Sequence, residues 1–258
     1  MKYILSILVL IFCILPANSA VMEGGVSKTG IGESNRIIDN QTNMPVSGAK
    51  VSLPKLNYIT VTDENGGFNL NAKIKEPSIL SVEKEGYRPF SLTINEQSAS
   101  KPIIVGIEKS KAQDIVISSE MFHLGDDNFS ANSANSTEFK GKSIGPFFSK
   151  TFSLTNSALT GTNYLIIGSI IGIDTLMART MRQNQIVNSF ASAPEIYFNG
   201  RKIAEIQLNG DGQKVRLPNN LIRIGMNEIT IRTGRNMKQT AYIDYDDIEF
   251  MNLHIQSD

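Results

Sequence analysis

The chain has 258 residues, 41% of them apolar, which is more than one small β-sandwich needs and enough for two compact cores. Lys+Arg and Asp+Glu are equal at 25 each, so no global field selects a polyanion, and the basic excess or stripe of a nucleic-acid binder is missing. Cys13 is the single cysteine; loss of a leader that contains it leaves none, which excludes disulfides and thiolate metal sites.

Residues 1–20 read as a secretory signal peptide: Lys2 supplies the positive start, Tyr3 to Leu15 the apolar run, and Ala17-Asn18-Ser19-Ala20 the small residues a peptidase takes. The run is short for a bilayer span, which takes roughly 20 residues. The expected location is therefore secreted, periplasmic or cell-surface, with no membrane span after cleavage. Residues 21–31 are a Gly-rich, polar leader.

From Arg36 onward, short runs alternate between apolar and polar residues, as strands with one buried face do. Ala49, Val51 and Leu53 form one such run, Phe68, Leu70 and Ala72 a second, and Phe90, Leu92 and Ile94 a third. Turn residues separate them at Asn43-Met44-Pro45, Asp63 to Gly67, and Gly86 to Pro89. The polar stretch Glu108 to Gln113 sets a boundary between a first domain, 32–110, and a second, 114–258. In the second, Asp126 to Lys142 reads as a long loop, and strands are expected at Phe147 to Leu154 and Tyr164 to Ile173. Residues 178–192 fit either a loop or a short helix. Two hairpins are expected next, one turning at Asn199-Gly200, where both turn residues need positive φ, and one at Asn209 to Gly212. Glu228 to Arg232 and Tyr242 to Ile255 supply the last strands. The fold class is all-β: two consecutive β-sandwiches.

Three motifs in the first half occur in a telling order. Ile38-Asp39 leads through Thr42-Asn43-Met44-Pro45 to Gly48-Ala49-Lys50-Val51; Thr62-Asp63-Glu64-Asn65-Gly66-Gly67-Phe68 follows; Val82-Glu83-Lys84-Glu85-Gly86-Tyr87 closes the set. Over about residues 31 to 108 this resembles the carboxypeptidase regulatory-like domain, and implies a small prealbumin-like sandwich used as an accessory, adhesive or spacer module. The residues themselves have structural roles. Asn43 stands at a left-handed position, Asp63 folds its carboxylate onto turn N–H groups, and Phe68 and Tyr87 are core plugs.

Catalytic patterns are sparse. His123-Leu124-Gly125-Asp126 with a distant His254 barely meets the three-ligand count of a zinc site, and surface or satisfied histidines are the favoured reading. The one Gly-x-Ser-x-Gly spacing, Gly141 to Gly145, runs into the expected strand at Phe147 and not into a helix, so it lacks the strand-to-helix setting of a nucleophile elbow. The chain is read as a non-enzyme.

The second half carries two acidic clusters, Gly125-Asp126-Asp127-Asn128 and Asp244-Tyr245-Asp246-Asp247-Ile248-Glu249. Apolar parity slips near Asp246-Asp247 and again near Met251-Asn252, which implies bulges at both places. Adjacent carboxylates in one strand point to opposite faces, so one must face inward, and a hard cation is one way to satisfy it. With Pro194 to Gly200 and Gly225 to Ile231, these stretches resemble the jelly-roll, galactose-binding-like superfamily, which includes many carbohydrate-binding modules. That resemblance implies a structural Ca²⁺ between the first and last strands, held by Asp126, Asp127, Asp246 and Asp247. It also implies a sugar site, with Asn128, Tyr242 and Tyr245 as contacts and Asn132, Asn135 and Arg182 as further polar candidates. Tyr197, inside an alternating run, is read as packing. The chain has no Trp, the ring most used for stacking on sugars. The expected function is non-catalytic binding of carbohydrate by the C-terminal sandwich, with the N-terminal domain as spacer. The alternatives are an adhesion or assembly protein that binds another envelope or extracellular protein, and an accessory subunit of a polysaccharide- or peptide-degrading system.

Overall fold

The structure is a computed structural model and describes residues 34–125, 139, 142–156, 161–184, 190–238 and 246–257. The signal peptide and the leader lie outside the described residues.

The first unit contains β1 (Arg36–Asp39), β2 (Lys50–Leu53), β3 (Tyr58–Val61), β4 (Ser78–Glu83), β5 (Phe90–Ile94), the one-turn helix α1 (Glu96–Ala99) and β6 (Ile104–Ile107). An antiparallel sheet, β3-β2-β4-β5, faces the parallel pair β1-β6. Ile37, Val51, Leu53, Leu80, Val82, Val105 and Ile107 fill the space between them. The motif residues act as their chemistry predicts. Asp39 Oδ1 accepts from the N–H groups of Gln41 and Thr42, and Asn43 sits at φ 57°. Asp63 Oδ1 accepts from Asn65 and Gly67, both at 2.8 Å. A Cβ at Gly66 would run into the Ile37 carbonyl, so the turn requires glycine there. Phe68, Leu70 and Ala72 do alternate inward, but the segment joins no ladder. Period 2 reports the extended chain and one buried side; it does not report a pairing partner.

The second unit contains β7 (Ile115–Leu124), β8 (Phe147–Leu154), β9 (Asn163–Ile171), α2 (Leu176–Thr180), β10 (Phe190–Ala191), β11 (Glu195–Phe198), β12 (Arg201–Glu205), β13 (Gly210–Arg216), β14 (Gly225–Arg232), β15 (Asn236–Lys238) and β16 (Ile248–Ser257). Two four-stranded sheets, β13-β9-β16-β7 and β12-β11-β14-β8, enclose a core that includes Phe152, Leu165, Ile167, Phe198, Ile229, Ile231 and Phe250. The first and last strands of the unit, β7 and β16, are neighbours. The Asn199-Gly200 turn is a two-residue hairpin with φ 49° and 78°. The second expected hairpin is absent: Gly210 to Gly212 already belong to β13, which lies in the sheet opposite β12. The stretch 178–192 holds the end of α2 and the short β10. A register shift in β16 falls at Asn252, at φ 60°, where the second parity slip placed a bulge.

The two units are packed together. The outer face of β4 and β5 covers the outer face of β9, β13 and β16. Asp211 on β13 accepts from the N–H and hydroxyl of Thr93 at 2.9 and 2.8 Å and from Ser169 Oγ at 2.6 Å. Asn252, delivered by the bulge, donates to Ser81 Oγ at 3.0 Å. A Cβ at Gly168 would stand 2.5 Å from Ser91 Oγ, so glycine there lets the backbones approach. The polar linker is also fixed: Arg88 binds Glu108 on one side and Asp114 on the other, at 2.5 and 2.7 Å.

Candidate functional site

Two regions of the C-terminal sandwich collect functional side chains. The first lies where β7 ends and β16 begins. Asp247, Glu249 and His123 share one face, since Glu249 and His123 are register partners and Asp247 is two residues from Glu249. All are buried; Asp246, Asp247 and Glu249 are each 1% exposed. Gly125, at the end of β7, lies against Asp247 so closely that a Cβ would collide with its carboxylate. Gly125, the described residue of the first acidic stretch, therefore meets Asp247 of the second. His123 Nε2 lies 3.4 Å from Asp247 Oδ2, and its ring packs, tilted, against Phe139 with centroids 4.9 Å apart. From the first unit, Lys55 reaches in, 3.3 Å from Glu76 and 5.9 Å from the Phe139 ring. Asp246 faces another way: its Oδ1 accepts from Asn236 and its carbonyl from the Thr233 hydroxyl.

Neither oxygen of Asp247 or of Glu249 has a hydrogen-bond donor among the described residues. Burial pushes the Glu249 carboxyl above the usual range, and Lys55 and His123 pull it partly back. Orphaned carboxylate oxygens fit a hard cation. Yet no three His, Cys, Asp or Glu residues among those described converge on one point. Asp126, Asp127, Asn128, Asn132, Asn135, Tyr242 and Tyr245 lie outside the described residues. His123 and His254 are seven residues apart in register along β7, about 23 Å at the usual strand rise, so they cannot share a metal.

Sequence reasoning passed over Glu249. Between Ile248 and Phe250 it reads as the solvent-facing member of an alternating strand. It does point away from its own core, but the first unit covers that face. Asp211 was hidden among turn residues, and Asn252, marked by the parity slip, gave no sign of its partner across the seam.

The second region is the outer face of the sheet β12-β11-β14-β8, which the first unit leaves open. Antiparallel register partners share a face, which places Glu205, Glu195, Arg232 and Phe147 in one row and Lys202, Tyr197, Thr230 and Ser149 in the next. Glu228 and Thr151 follow. Phe147 is 53% exposed. Tyr197 donates to Glu195 at 2.6 Å, and Arg232 lies 5.8 Å from its ring centre. Lys202 bridges Glu195 and Glu205, which holds its ammonium pKa well above the usual value. Ser149 Oγ donates to Glu228 at 2.6 Å and lies 2.9 Å from Thr230 Oγ1. The face runs into a groove of about 380 Å³ lined by Thr151, Asn199, Arg223, Met226 and Glu228. Tyr197, read from sequence as packing, thus belongs to an open surface. A larger groove, about 550 Å³, follows the seam between the units beside Tyr87 and Val116, but the Tyr87 hydroxyl is committed to Asp39.

The first sandwich, with its β1–β6 pair and its Asp-capped turns, is a small β-domain. Residues 34–117 match the family model of the CarboxypepD_reg-like domain. No curated protein matches the chain at a significant level. Among solved structures, the chain is similar to a carbohydrate-binding module, CBM36, in complex with calcium and xylotriose, at 13% identity over 43% of this chain and 72% of that one, with a TM-score of 0.23. It is also similar to the CBM36-1 domain of a multidomain xylanase from the hindgut metagenome of Trinervitermes trinervoides, at 9% identity over 55% and 94% of the two chains, with a TM-score of 0.27.

Proposed function

We propose that this chain is an exported, non-catalytic binding protein whose C-terminal sandwich recognises carbohydrate on its open sheet face. The observation that carries the reading is the composition of that face. Hydroxyls at Ser149, Thr151 and Thr230, carboxylates at Glu195 and Glu228, and the Arg232 guanidinium surround two rings, Tyr197 and Phe147. Sugars need this mixture: polar partners for their hydroxyls and an apolar ring for their C–H faces. The charges largely compensate one another, which suits a neutral glycan. The first unit then serves as a rigid buttress against the opposite sheet.

Calcium and the loop contacts belong to the same proposal. Asp247, with orphaned oxygens beside Gly125, is the described residue that best fits a cation ligand; Asp126 and Asp127 would add further oxygens. Asn128, Tyr242 and Tyr245 would extend the sugar site at that end. A second reading has its own support. Edge strand β3 exposes Ile59 and Val61 on one side, the surface a protein partner would cover, whereas edge strand β8 carries Lys150, a charge that discourages pairing.

Pull-down on insoluble cellulose, xylan, mannan and chitin tests the glycan reading. At least one should retain the chain, and a Tyr197→Ala, Arg232→Ala variant should be released from it. Retention on none, or equal retention of the variant, would refute binding by this face.

A further inference from the structure

Basic and acidic residues are equal in number, yet they are not evenly placed. The described residues 175–184, 190–193 and 233–238 contain Arg179, Arg182, Arg235 and Lys238 and no acid. The fold brings these segments together. Phe190 of β10 pairs with Lys238 of β15, and the Ser192 N–H donates to the Arg235 carbonyl at 2.8 Å. Helix α2 stands beside them: the Ala191 N–H donates to the Asp174 carbonyl, and Arg179 lies 5.7 Å from the Phe190 ring centre. Buried Asp174 neutralises Arg179 through two bonds of 3.0 Å. Arg182, Arg235 and Lys238 remain, all exposed.

The helix between these cations is apolar on its outside. Ala178 is its one buried residue. Leu176, Met177 and Met181 are 58, 50 and 58% exposed. Together with Thr180 they occupy successive turns of one side. A lone exposed Leu or Met is ordinary, but three on a short helix and its C-cap, flanked by cations, make a directed surface.

We propose that this end of the sandwich docks on the surface of an anionic phospholipid bilayer. Leu176, Met177 and Met181 enter the boundary between headgroups and acyl chains, while Arg182, Arg235 and Lys238 meet lipid phosphates. The charge asymmetry selects the partner, since apolar side chains beside basic ones are the chemistry of interfacial binding. Size argues in the same direction. Three side chains on α2 and its C-cap cover much less than the roughly 800 Å² per partner of a stable protein interface, whereas a bilayer moulds itself to a small knob.

Co-sedimentation of the full chain with vesicles tests this. Vesicles of phosphatidylcholine with about a third phosphatidylglycerol should bind it at least about tenfold more strongly than pure phosphatidylcholine, since each basic residue near an anionic surface contributes about fivefold. Binding should weaken with salt. A Leu176→Ser, Met177→Ser, Met181→Ser variant and an Arg182→Glu, Lys238→Glu variant should each lose most of the difference while melting like the parent. All three proteins share the same N-terminal segment, so differences between them report this surface alone. No preference for anionic vesicles, or unchanged binding of the serine variant, would overturn the proposal.

Discussion

Asp211 and Thr93 lie 118 residues apart in sequence, and both the N–H and the hydroxyl of Thr93 donate to the Asp211 carboxylate. The bond joins the edge strand of one sandwich to the edge strand of the other, and Ser169 completes it at 2.6 Å. It makes the two units mechanically one along that seam.

Replacement of Asp211 by alanine should therefore lower stability by about 2–4 kcal/mol, because several charge-assisted bonds go and the Thr93 and Ser169 donors are left without their acceptor. Urea denaturation measures it. A loss under about 0.5 kcal/mol, the ordinary range for an exposed surface site, would mean that the contact does not hold the units together.

Gly168→Val tests the same seam sterically. The added side chain meets Ser91 and Asn252, whose Cβ would lie 2.7 Å from the new one. The sheets must part or the strand must shift, so limited proteolysis should cut between the units in the variant and spare the parent. Equal resistance would contradict the close approach.

Acid should weaken the protein through His254. Burial, then the nearby Arg88, holds its imidazole pKa down at about 4, against about 6.5 in an unfolded chain. The unfolded state therefore binds the proton first. Stability is fully present above pH 6.5 and falls as pH drops toward 4, by on the order of 3 kcal/mol from this group alone. His254→Gln should flatten that slope in denaturation midpoints measured between pH 4 and 7. An unchanged slope would assign the acid sensitivity to other groups.

Calcium gives a further prediction. If Asp247 helps to hold the ion, metal-free protein should melt several degrees higher on addition of Ca²⁺, since a ligand selective for the folded state stabilises it. Asp247→Asn should remove most of the gain. Superimposable melting curves with and without Ca²⁺ would leave Asp247 as a buried acid beside His123.

The strands, both Asp-capped turns and the Asn199-Gly200 hairpin were legible because each depends on neighbours in sequence. Asn252 was legible as a break in parity, though its partner Ser81 was not. The reading failed where distant packing decides. Glu249 and Ser169 look like solvent-facing members of alternating strands, and become buried only because another sandwich covers their sheet. Tyr197 was misread for the converse reason: its side of β11 lies on a sheet face that the first unit leaves open. Asn209 to Gly212 has the composition of a hairpin turn, but composition does not reveal that β13 pairs with β9 instead of β12.

A glycan array probed with the full chain and with a Tyr197→Ala, Glu228→Gln double variant tests the central claim most directly. Our account predicts that the parent binds a defined set of neutral glycans and that the variant, folded to the same melting temperature within about a degree or two, loses the signal by at least about tenfold, as removal of a stacking ring and a hydroxyl acceptor together should. A blank array for the parent, or the same glycans bound equally by the variant, would contradict it.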